Sequence, residues 1–480
     1  MRYDLIILGN DASGSEAALA AARLQKRVAI VTSPKPDVVS SLAGLREAAL
    51  RLTGFRKREF TKDLTARRRR LTITELRQCA FEVEAQKSSD CETQLRERGI
   101  DLVVGTVRFL GPHEVEVSSV ANDSQRLYGD KILFAVGTQS MRPDWVPFDG
   151  ETIFDSDESP SLDRIPRSMI VVGGGPVALE SATCFALLGT RVAVVDAQRQ
   201  LLDFCDREVC RTFRENAVQH GVQFRLGHSI NAIERTSDGR AAVRFEGGKS
   251  LFAECVLFAA SQRGRTDSLD LSAAGLLPDE QGRLWCNEFG QTWVKHIYGV
   301  GAVVGFPATA SRSTASGTRA VQHAFGQPIG DTLPVSAGLM TIPEMAMVGA
   351  TEQQLRDDLV AYEVGAVRFR DDSCDDIDGP AAGMLKLLFH RESLELLGVH
   401  CLGESASELI RLGQTVMSLG GTIESFRDEN IFSSAIPECF RLAAEDGLRR
   451  LEEALAAPKP TLRIWRPRSR RRRSLVTSSS

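Results

Sequence analysis

The sequence predicts an α/β protein with two Rossmann-like dinucleotide-binding folds, followed by a separate α+β domain. A pattern of strand, glycine-bearing turn, helix and strand occurs twice, at residues 4–31 and 168–196. From Leu339 onward the pattern changes to short alternating segments that are typical of antiparallel strands. With 480 residues, 42% of them hydrophobic and 25% charged, the chain can form several cores of ordinary globular composition.

The unit at 168–196 has the residue types that a bound dinucleotide requires. Its first apolar run ends in three glycines, and a helical pattern follows them. Gly173 permits the tight turn, Gly175 lets the backbone approach a pyrophosphate, and Ala178 leaves room for helix and strand to pack. The pyrophosphate would bind the exposed N–H groups and the positive dipole end of the helix. The alternative interpretation is a helix N-terminus whose glycines serve packing alone.

Asp196 ends the second strand of this unit, about 20 residues after Gly175, where a carboxylate can accept hydrogen bonds from an adenosine ribose. A 2′-phosphate would meet a like charge at this position, so Asp196 favours NAD over NADP. Arg199 follows three residues later and could reduce that preference. The sequence therefore predicts NAD(P)(H) as a ligand, with NAD preferred.

Composition argues against several classes of protein. No apolar run approaches the length of a membrane span, and the N-terminus enters a strand within four residues, so we expect a cytoplasmic protein. The ten cysteines are scattered, as expected for reduced thiols, and the seven dispersed histidines indicate no metal site. Cys205 and Cys210 lie five residues apart where a helix is expected. Their side chains would not face each other, and we interpret both as structural thiols.

The segments around the two units complete the order of elements. Helical patterns cover residues 43–52 and roughly 61–85, and the second pattern carries the run Arg67–Arg70. We interpret that run as a solvated helix face rather than a nucleic-acid contact. Gly137 ends a strand, and residues 143–150 form a linker into the second unit. Further strands are expected near residues 102–107, 114–117, 131–135, 222–226, 241–245 and 255–259.

The C-terminal part reads as a separate domain and a tail. Its predicted strands and helices are, in order, strands 345–349, 362–368, 383–389 and 394–402 and helices 405–419 and 438–456. Residues 457–480 are rich in Arg, Pro and Ser and lack periodicity, which predicts a disordered tail. Its arginines could contact RNA or an acidic partner, but a solvated tail is the interpretation that we favour.

Six further motifs carry information about family: IFDSD (153–157), TDSLDL (266–271), HIYGVG (296–301), TIPEMAMVGATEQQL (341–355), LGVHCLGESASELI (397–410) and RLAAEDGLRRL (441–451). With them the chain resembles the pyridine nucleotide–disulfide oxidoreductase family and, within it, the soluble pyridine nucleotide transhydrogenases. The resemblance covers about residues 3–452, which is most of the chain.

The resemblance implies FAD in the first fold, NAD(P)H in a second fold inserted into it, and a homodimer formed through the C-terminal domain. In this family hydride passes from one nicotinamide through the flavin to an acceptor, which in transhydrogenases is a second nicotinamide. Glu180 would lie near the nicotinamide. The implied domains are a FAD-type Rossmann domain (1–150 and 266–335), an NAD(P)-binding Rossmann domain (151–265), a dimerisation domain (336–456) and the tail (457–480).

The first unit departs from the family pattern where the FAD pyrophosphate would bind. Gly9 and Gly14 match the first and third glycines of the motif, but Asp11 stands at the second. A side chain at this position obstructs the approach of the backbone, and its carboxylate would face a dianion. Asp11 therefore argues against FAD binding.

Other family contacts to the flavin are altered as well. The acid expected on the ribose is Thr32, the lysine expected near the flavin is Ala43, and the aspartate expected after Gly301 is Ala302. Each charge-assisted hydrogen bond contributes about 1.5–3 kcal/mol, so these changes predict weakened or lost flavin binding. The residues that remain of this FAD-type site are Gly9, Gly14, Thr32, Gly137 and Gly301.

The catalytic groups of the disulfide reductases are also replaced. The redox cysteine pair is absent from the segment after Thr32, and Ser433–Ser434 stand in place of the His-Pro of the catalytic base. Glu438 remains, but a glutamate without a histidine to orient has no base role that we can assign. Two functions stay open: a FAD-dependent oxidoreductase of transhydrogenase type, and a catalytically silent, dimeric NAD-binding scaffold.

Overall fold

The computed structural model describes residues 1–33, 41–55, 71–119, 123–305, 310–329, 336–369, 383–427 and 435–456. The α-helices of this part are α1 (Ala12–Arg23), α2 (Leu42–Thr53), α3 (Ile73–Glu97), α4 (Pro176–Leu187), α5 (Arg207–Gln219), α6 (Ala310–Ala324), α7 (Glu352–Asp357), α8 (Ala406–Ser418) and α9 (Ala435–Ala456). The strands are β1 (Arg2–Leu8), β2 (Val28–Thr32), β3 (Asp101–Val104), β4 (Thr106–Gly111), β5 (Glu114–Ser118), β6 (Ser124–Phe134), β7 (Thr138–Ser140), β8 (Ile153–Asp155), β9 (Ser168–Val172), β10 (Arg191–Asp196), β11 (Val222–Leu226), β12 (Ile230–Arg235), β13 (Ala241–Phe245), β14 (Ser250–Ala253), β15 (Cys255–Phe258), β16 (Gln262–Gly264), β17 (Ile297–Gly299), β18 (Ser336–Leu339), β19 (Glu344–Gly349), β20 (Tyr362–Arg368), β21 (Met384–His390) and β22 (Leu396–Gly403).

The first unit lies at the centre of a mixed sheet whose order is β3-β2-β1-β6-β5-β4, with β17 beside β6. Strand β1 pairs in parallel with β2 and β6, whereas β4, β5 and β6 are antiparallel. Helices α1 and α6 pack closely together on one face, because a Cβ on Gly317 would come within 2.3 Å of the carbonyl oxygen of Ser13. Valine, leucine and isoleucine dominate β1 and β2, as is typical of strands that are covered on both faces.

The second unit, β9-α4-β10, lies within a parallel sheet of order β11-β10-β9-β15-β8. Helices α4 and α5 cover one face, and the antiparallel strands β12, β13 and β14 cover the other. Strand β17 joins the first sheet only after this second sheet is complete, so the second fold is inserted into the first. The predicted fold class, with two Rossmann-like folds, is confirmed.

The C-terminal domain is an antiparallel sheet of order β18-β19-β22-β21-β20. Helices α8 and α9 pack against it and close a separate hydrophobic core. The predicted α+β architecture is therefore confirmed. Strand β18 lies before the change in sequence pattern at Leu339. The sequence did not predict this strand, because its four small or apolar residues show no alternation.

The helix predicted at 61–85 is confirmed from residue 73 onward, residues 71 and 72 are not helical, and residues 61–70 lie outside the described part of the chain. Helix α3 begins after Thr72, whose side chain accepts from the Glu75 N–H while the Glu75 carboxylate accepts from the Thr72 N–H. This capping box fixes the start of α3, and the helix continues to Glu97. The run Arg67–Arg70, Ser433–Ser434 and the tail at 457–480 lie outside the described residues. Among the described helices, none is both long enough and apolar enough to cross a bilayer.

A buried ion cluster joins the second fold to the C-terminal domain. The Nζ of Lys386, on β21, is fully buried and lies 3.0 Å from Asp206, 3.1 Å from Glu208 and 2.5 Å from Glu352. Burial raises the pKa of Asp206, but the charges of His400 and Lys386 outweigh it, so the pKa lies below its usual range. Ion pairs between residues that are distant in the chain therefore add to the apolar contacts between the two domains.

Candidate dinucleotide sites

The turn between β9 and α4 has the geometry that a pyrophosphate needs. Gly173 has φ of 120°, and a Cβ there would come within 2.6 Å of the Ala259 carbonyl oxygen. Gly175 is the N-cap of α4 and has extended backbone, and no described atom lies within 4 Å of a Cβ built on it. Pro176 starts the helix, and Ala178 is fully buried against the sheet. The first turn of α4 therefore has no side-chain cap from the described residues, which leaves its backbone N–H groups without that partner.

Asp196 lies beside this turn. Its Oδ1 accepts a hydrogen bond of 2.7 Å from the Gln198 N–H, and its Oδ2 would be 2.9 Å from a Cβ on Gly174. Gly174 is thus needed for the close approach of the carboxylate, a role that the motif spacing does not reveal. The stem of Arg199 runs along Gly227, at the end of β11. The structure brings Gly173, Gly175 and Asp196 to one edge of the parallel sheet.

Glu180 connects this unit to the C-terminal domain. Its carboxylate accepts a hydrogen bond of 2.8 Å from the Met340 N–H, and burial raises its pKa. Arg46, on α2, partly offsets that effect through its positive charge. One helical turn further along α4, the Thr183 hydroxyl accepts from the Ile342 N–H at 3.1 Å. Met340 and Ile342 could not be found from the sequence pattern, because they act through backbone groups.

The first unit retains glycines where the backbone needs them. Gly9 has φ of 95°, and a Cβ there would come within 2.1 Å of the Ala135 carbonyl oxygen. A Cβ on Gly14 would be 2.8 Å from the Ala135 Cβ, and Gly137 also has a positive φ, of 66°. Gly301 begins a 3₁₀ turn that includes Ala302. The packing of β1, α1 and β6 therefore matches that of a dinucleotide fold.

Asp11 changes the charge of this first site. It is the N-cap of α1, and its Oδ1 accepts from the Gly14 N–H at 2.9 Å and from the Ser13 hydroxyl at 2.6 Å. Burial raises the pKa of Asp11, although these hydrogen bonds oppose the effect. The N-terminus of α1 is thus capped by an acidic side chain of its own chain, whereas α4 has no side-chain cap.

A cavity of about 600 Å³ adjoins Asp11 and Gly137. Ser33, the residue after Thr32, lines this cavity at the end of β2, together with Arg265 and Asp267. The structure thus offers a serine hydroxyl, rather than Thr32, on the side where the family places an acid. Two carboxylates and one guanidinium face the cavity, which makes it less favourable for an anion than the turn at Gly175.

The remaining candidate residues have structural contacts. The carboxylate of Glu438, on α9, accepts from the Arg441 Nε at 3.0 and 3.1 Å, and this hydrogen bonding lowers its pKa. Cys205 precedes α5 and Cys210 lies in its first turn, and their thiols interact with each other, so the prediction that these side chains would not face each other is wrong; no described cysteine forms a disulfide. In the described part of the chain, no group of three or more His, Cys, Asp or Glu residues could hold a metal ion.

Comparison with known proteins identifies two matching family models. "Pyridine nucleotide-disulphide oxidoreductase" matches residues 3–326, and the dimerisation domain of the same family matches residues 335–443. "Soluble pyridine nucleotide transhydrogenase" of Mycobacterium tuberculosis (strain ATCC 25177 / H37Ra) is 38% identical over 459 residues, which is 94% of this chain and 98% of the relative. The protein of the same name from Marinomonas sp. (strain MWYL1) is 33% identical over 461 residues, which is 94% of this chain and 99% of the relative.

Solved structures agree on the fold. LpdA from Mycobacterium tuberculosis superposes with a TM-score of 0.81 at 22% identity, over 94% of this chain and 99% of that one. The HOCl-induced flavoprotein disulfide reductase RclA from Escherichia coli superposes with a TM-score of 0.75 at 21% identity, over 92% of this chain and 100% of RclA. The arrangement of two dinucleotide folds and a C-terminal domain is therefore shared with these proteins.

Proposed function

Because the chain belongs to the pyridine nucleotide-disulphide oxidoreductase family, we propose that it is an NAD(P)H-binding oxidoreductase of transhydrogenase type. Its ligand would be NAD(H) at the 168–196 unit, and its reaction class hydride transfer between nicotinamides. The observation that carries this proposal is the uncapped N-terminus of α4 at Gly175, with the Asp196 carboxylate beside it.

Each group of NAD would find a chemically suitable partner in this unit. The pyrophosphate would bind the free N–H groups of the first turn of α4. The Asp196 carboxylate would accept hydrogen bonds from the adenosine ribose and repel a 2′-phosphate, which favours NAD. Glu180 lies one turn further along α4, and its hydrogen bond to Met340 would fix its orientation near the nicotinamide.

The residues of the first site do not fit the pyrophosphate of FAD. Gly9, Gly14 and Gly137 provide the close backbone approach, but the Asp11 side chain already accepts from the Gly14 N–H and the Ser13 hydroxyl at the α1 N-terminus. A dianion would have to displace it or lie against it, at an electrostatic cost. We therefore assign weakened flavin binding to Asp11 and derive no step of the reaction through the flavin.

A catalytically silent, dimeric NAD-binding scaffold is the second candidate. It is favoured by the contrast between the open α4 turn and the self-capped α1 turn. Titration with FAD, followed by an assay of NADH oxidation with a thio-nicotinamide acceptor, separates the two functions. Hydride transfer that depends on added FAD supports the enzyme, and NADH binding without turnover at saturating FAD supports the scaffold.

The test of the NAD site itself is NADH binding, followed by the fluorescence of the nicotinamide. The unmutated chain should bind NADH more tightly than NADPH, and Asp196→Ala should weaken NADH binding. Glu215→Ala, an exposed acidic change on α5 in the same fold, serves as the control. Failure of the unmutated chain to bind either nucleotide would refute the proposed site.

The family also suggests the assembly and the compartment. The match to the dimerisation domain supports a homodimer formed through the C-terminal domain, which sedimentation equilibrium would test. None of the described cysteines forms a disulfide, as is typical of proteins in a reducing compartment, and this supports a cytoplasmic location. Fractionation of the source cells would test that location.

A further inference from the structure

A second cavity lies in the NAD-type fold, at the end opposite to the dinucleotide turn. It has a volume of about 780 Å³ and lies between the starts of β9 and β10, strand β11, helix α5 and strand β14. Strand β10 runs from this cavity to the dinucleotide site: Arg191 at its start lines the cavity, and Asp196 at its end belongs to the dinucleotide site. Five strand steps separate these residues by about 16 Å. The cavity is therefore distinct from the proposed NAD site.

The lining of this cavity has one sign of charge. Arg191, Arg214, Arg225 and Arg240 line it, and no acidic residue of the described chain does so. Arg240 is paired with Asp238 at 2.8 Å, whereas the other three arginines have no carboxylate partner among the residues described. Since the whole chain has a net charge of −4, this concentration of cations does not follow from composition. A concave site with unneutralised guanidinium groups attracts anions.

Aromatic rings hold two of these arginines in place. The Arg214 guanidinium lies 5.6 Å from the ring centroid of Phe224, and that of Arg240 lies 5.7 Å from the ring centroid of Phe252. Phe252 is 51% exposed, although it is a large apolar side chain. Guanidinium planes and phenyl rings are the surfaces on which nucleobases stack. The cavity thus combines phosphate-binding groups with stacking groups.

We propose that this cavity is a second nucleotide site, which binds a nucleoside polyphosphate with its phosphates on Arg191, Arg214 and Arg225 and its base beside Phe252. Its volume lies within the range of about 300–1,000 Å³ that is usual for small-molecule sites, and it is bounded by five elements rather than extended as a groove for a polymer. The site is independent of NAD binding, because its residues are separate from the turn at Gly175.

Calorimetric titration of the full chain with ATP, in the presence of saturating NADH, tests this site. The expected result is one ATP bound per chain, with tighter binding of ATP than of inorganic tripolyphosphate or adenosine. Arg191→Gln and Arg225→Gln should each weaken ATP binding by about tenfold or more, the loss expected for one charge-assisted contact. Phe252→Ala should weaken ATP binding but leave tripolyphosphate binding unchanged.

Arg244→Gln is the matched control, because Arg244 is an exposed arginine of the neighbouring β13 that pairs with Glu234 and does not line the cavity. It removes the same charge and should leave ATP affinity unchanged. Thermal unfolding of each variant checks that the exposed substitutions preserve the fold. Absence of saturable ATP binding, equal affinity for ATP and tripolyphosphate, or an equal loss in Arg244→Gln would each overturn the proposal.

Discussion

We expect Asp11 to limit how well the first site accepts a flavin, and replacement of Asp11 tests that proposal. Two variants separate its effects: Asp11→Gly removes both the side chain and its charge, and Asp11→Asn removes the charge but keeps a capping side chain. In the structure the carboxylate lies on the Gly14 N–H and the Ser13 hydroxyl, where a pyrophosphate would bind. Both variants should therefore bind FAD more tightly than the unmutated chain.

The size of the gain follows from Coulomb's law. Two unit charges about 4 Å apart interact by roughly 1 kcal/mol in water and roughly 4 kcal/mol near a protein surface. Asp11 is half-buried at the wall of an open cavity, so we expect a gain of about 1–2 kcal/mol, or about 5- to 30-fold in Kd. Losing the helix cap in Asp11→Gly should lower the free energy of unfolding by only a few tenths of a kcal/mol.

FAD titration, followed by the quenching of flavin fluorescence and by the visible spectrum, measures this gain. Burial raises the pKa of Asp11, so its carboxylate becomes neutral at a higher pH than an exposed aspartate would. In the unmutated chain, FAD affinity should consequently rise as the pH falls through the pKa of Asp11, and Asp11→Asn should lose this dependence. The reasoning is refuted if the unmutated chain binds FAD as tightly as both variants do at neutral pH.

Three further predictions concern the second fold and its junction with the C-terminal domain. Asp196→Ala should lose about 1.5–3 kcal/mol of NADH binding, roughly 10- to 150-fold, while NADPH binding should change less; parallel fluorescence titrations compare the two nucleotides. Lys386→Met should lower the free energy of unfolding by about 3–5 kcal/mol, because it leaves the buried Asp206 carboxylate uncompensated. Lys249→Met, at an exposed lysine, is the control and should change the free energy of unfolding by less than about 0.5 kcal/mol. Denaturant titrations measure both values. Burial alone would raise the pKa values of Asp206 and Glu352. Their charged and hydrogen-bonding partners have the larger, opposite effect, so both pKa values lie below the unfolded value of about 4. The stability from these carboxylates is thus present above that pH and lost as the pH falls through their folded values, and the deficit of Lys386→Met should shrink on acidification; a constant deficit would contradict the assignment.

Much of the fold followed from local patterns. Glycines with positive φ at positions 9 and 173, apolar strand runs and the alternation after Leu339 are short-range signals, and each led to the element that the structure contains. The start of α3 was missed, because the capping box at Thr72 is a weaker signal than the helical periodicity around it. The insertion of one fold into the other came from resemblance, since strand order depends on pairings between distant residues.

The sequence by itself determined the chemistry of the two turns: open glycines and an acid at 173–196, and Asp11 in place of a glycine in the first unit. Only the tertiary structure decided that Asp11 caps α1, that Glu180 binds the Met340 N–H and that Lys386 joins two domains. The physical reason is the distance along the chain between the residues that interact. A turn is specified by the conformational limits of adjacent residues, whereas a buried ion pair or a cluster of arginines exists only after segments far apart in the chain have packed together.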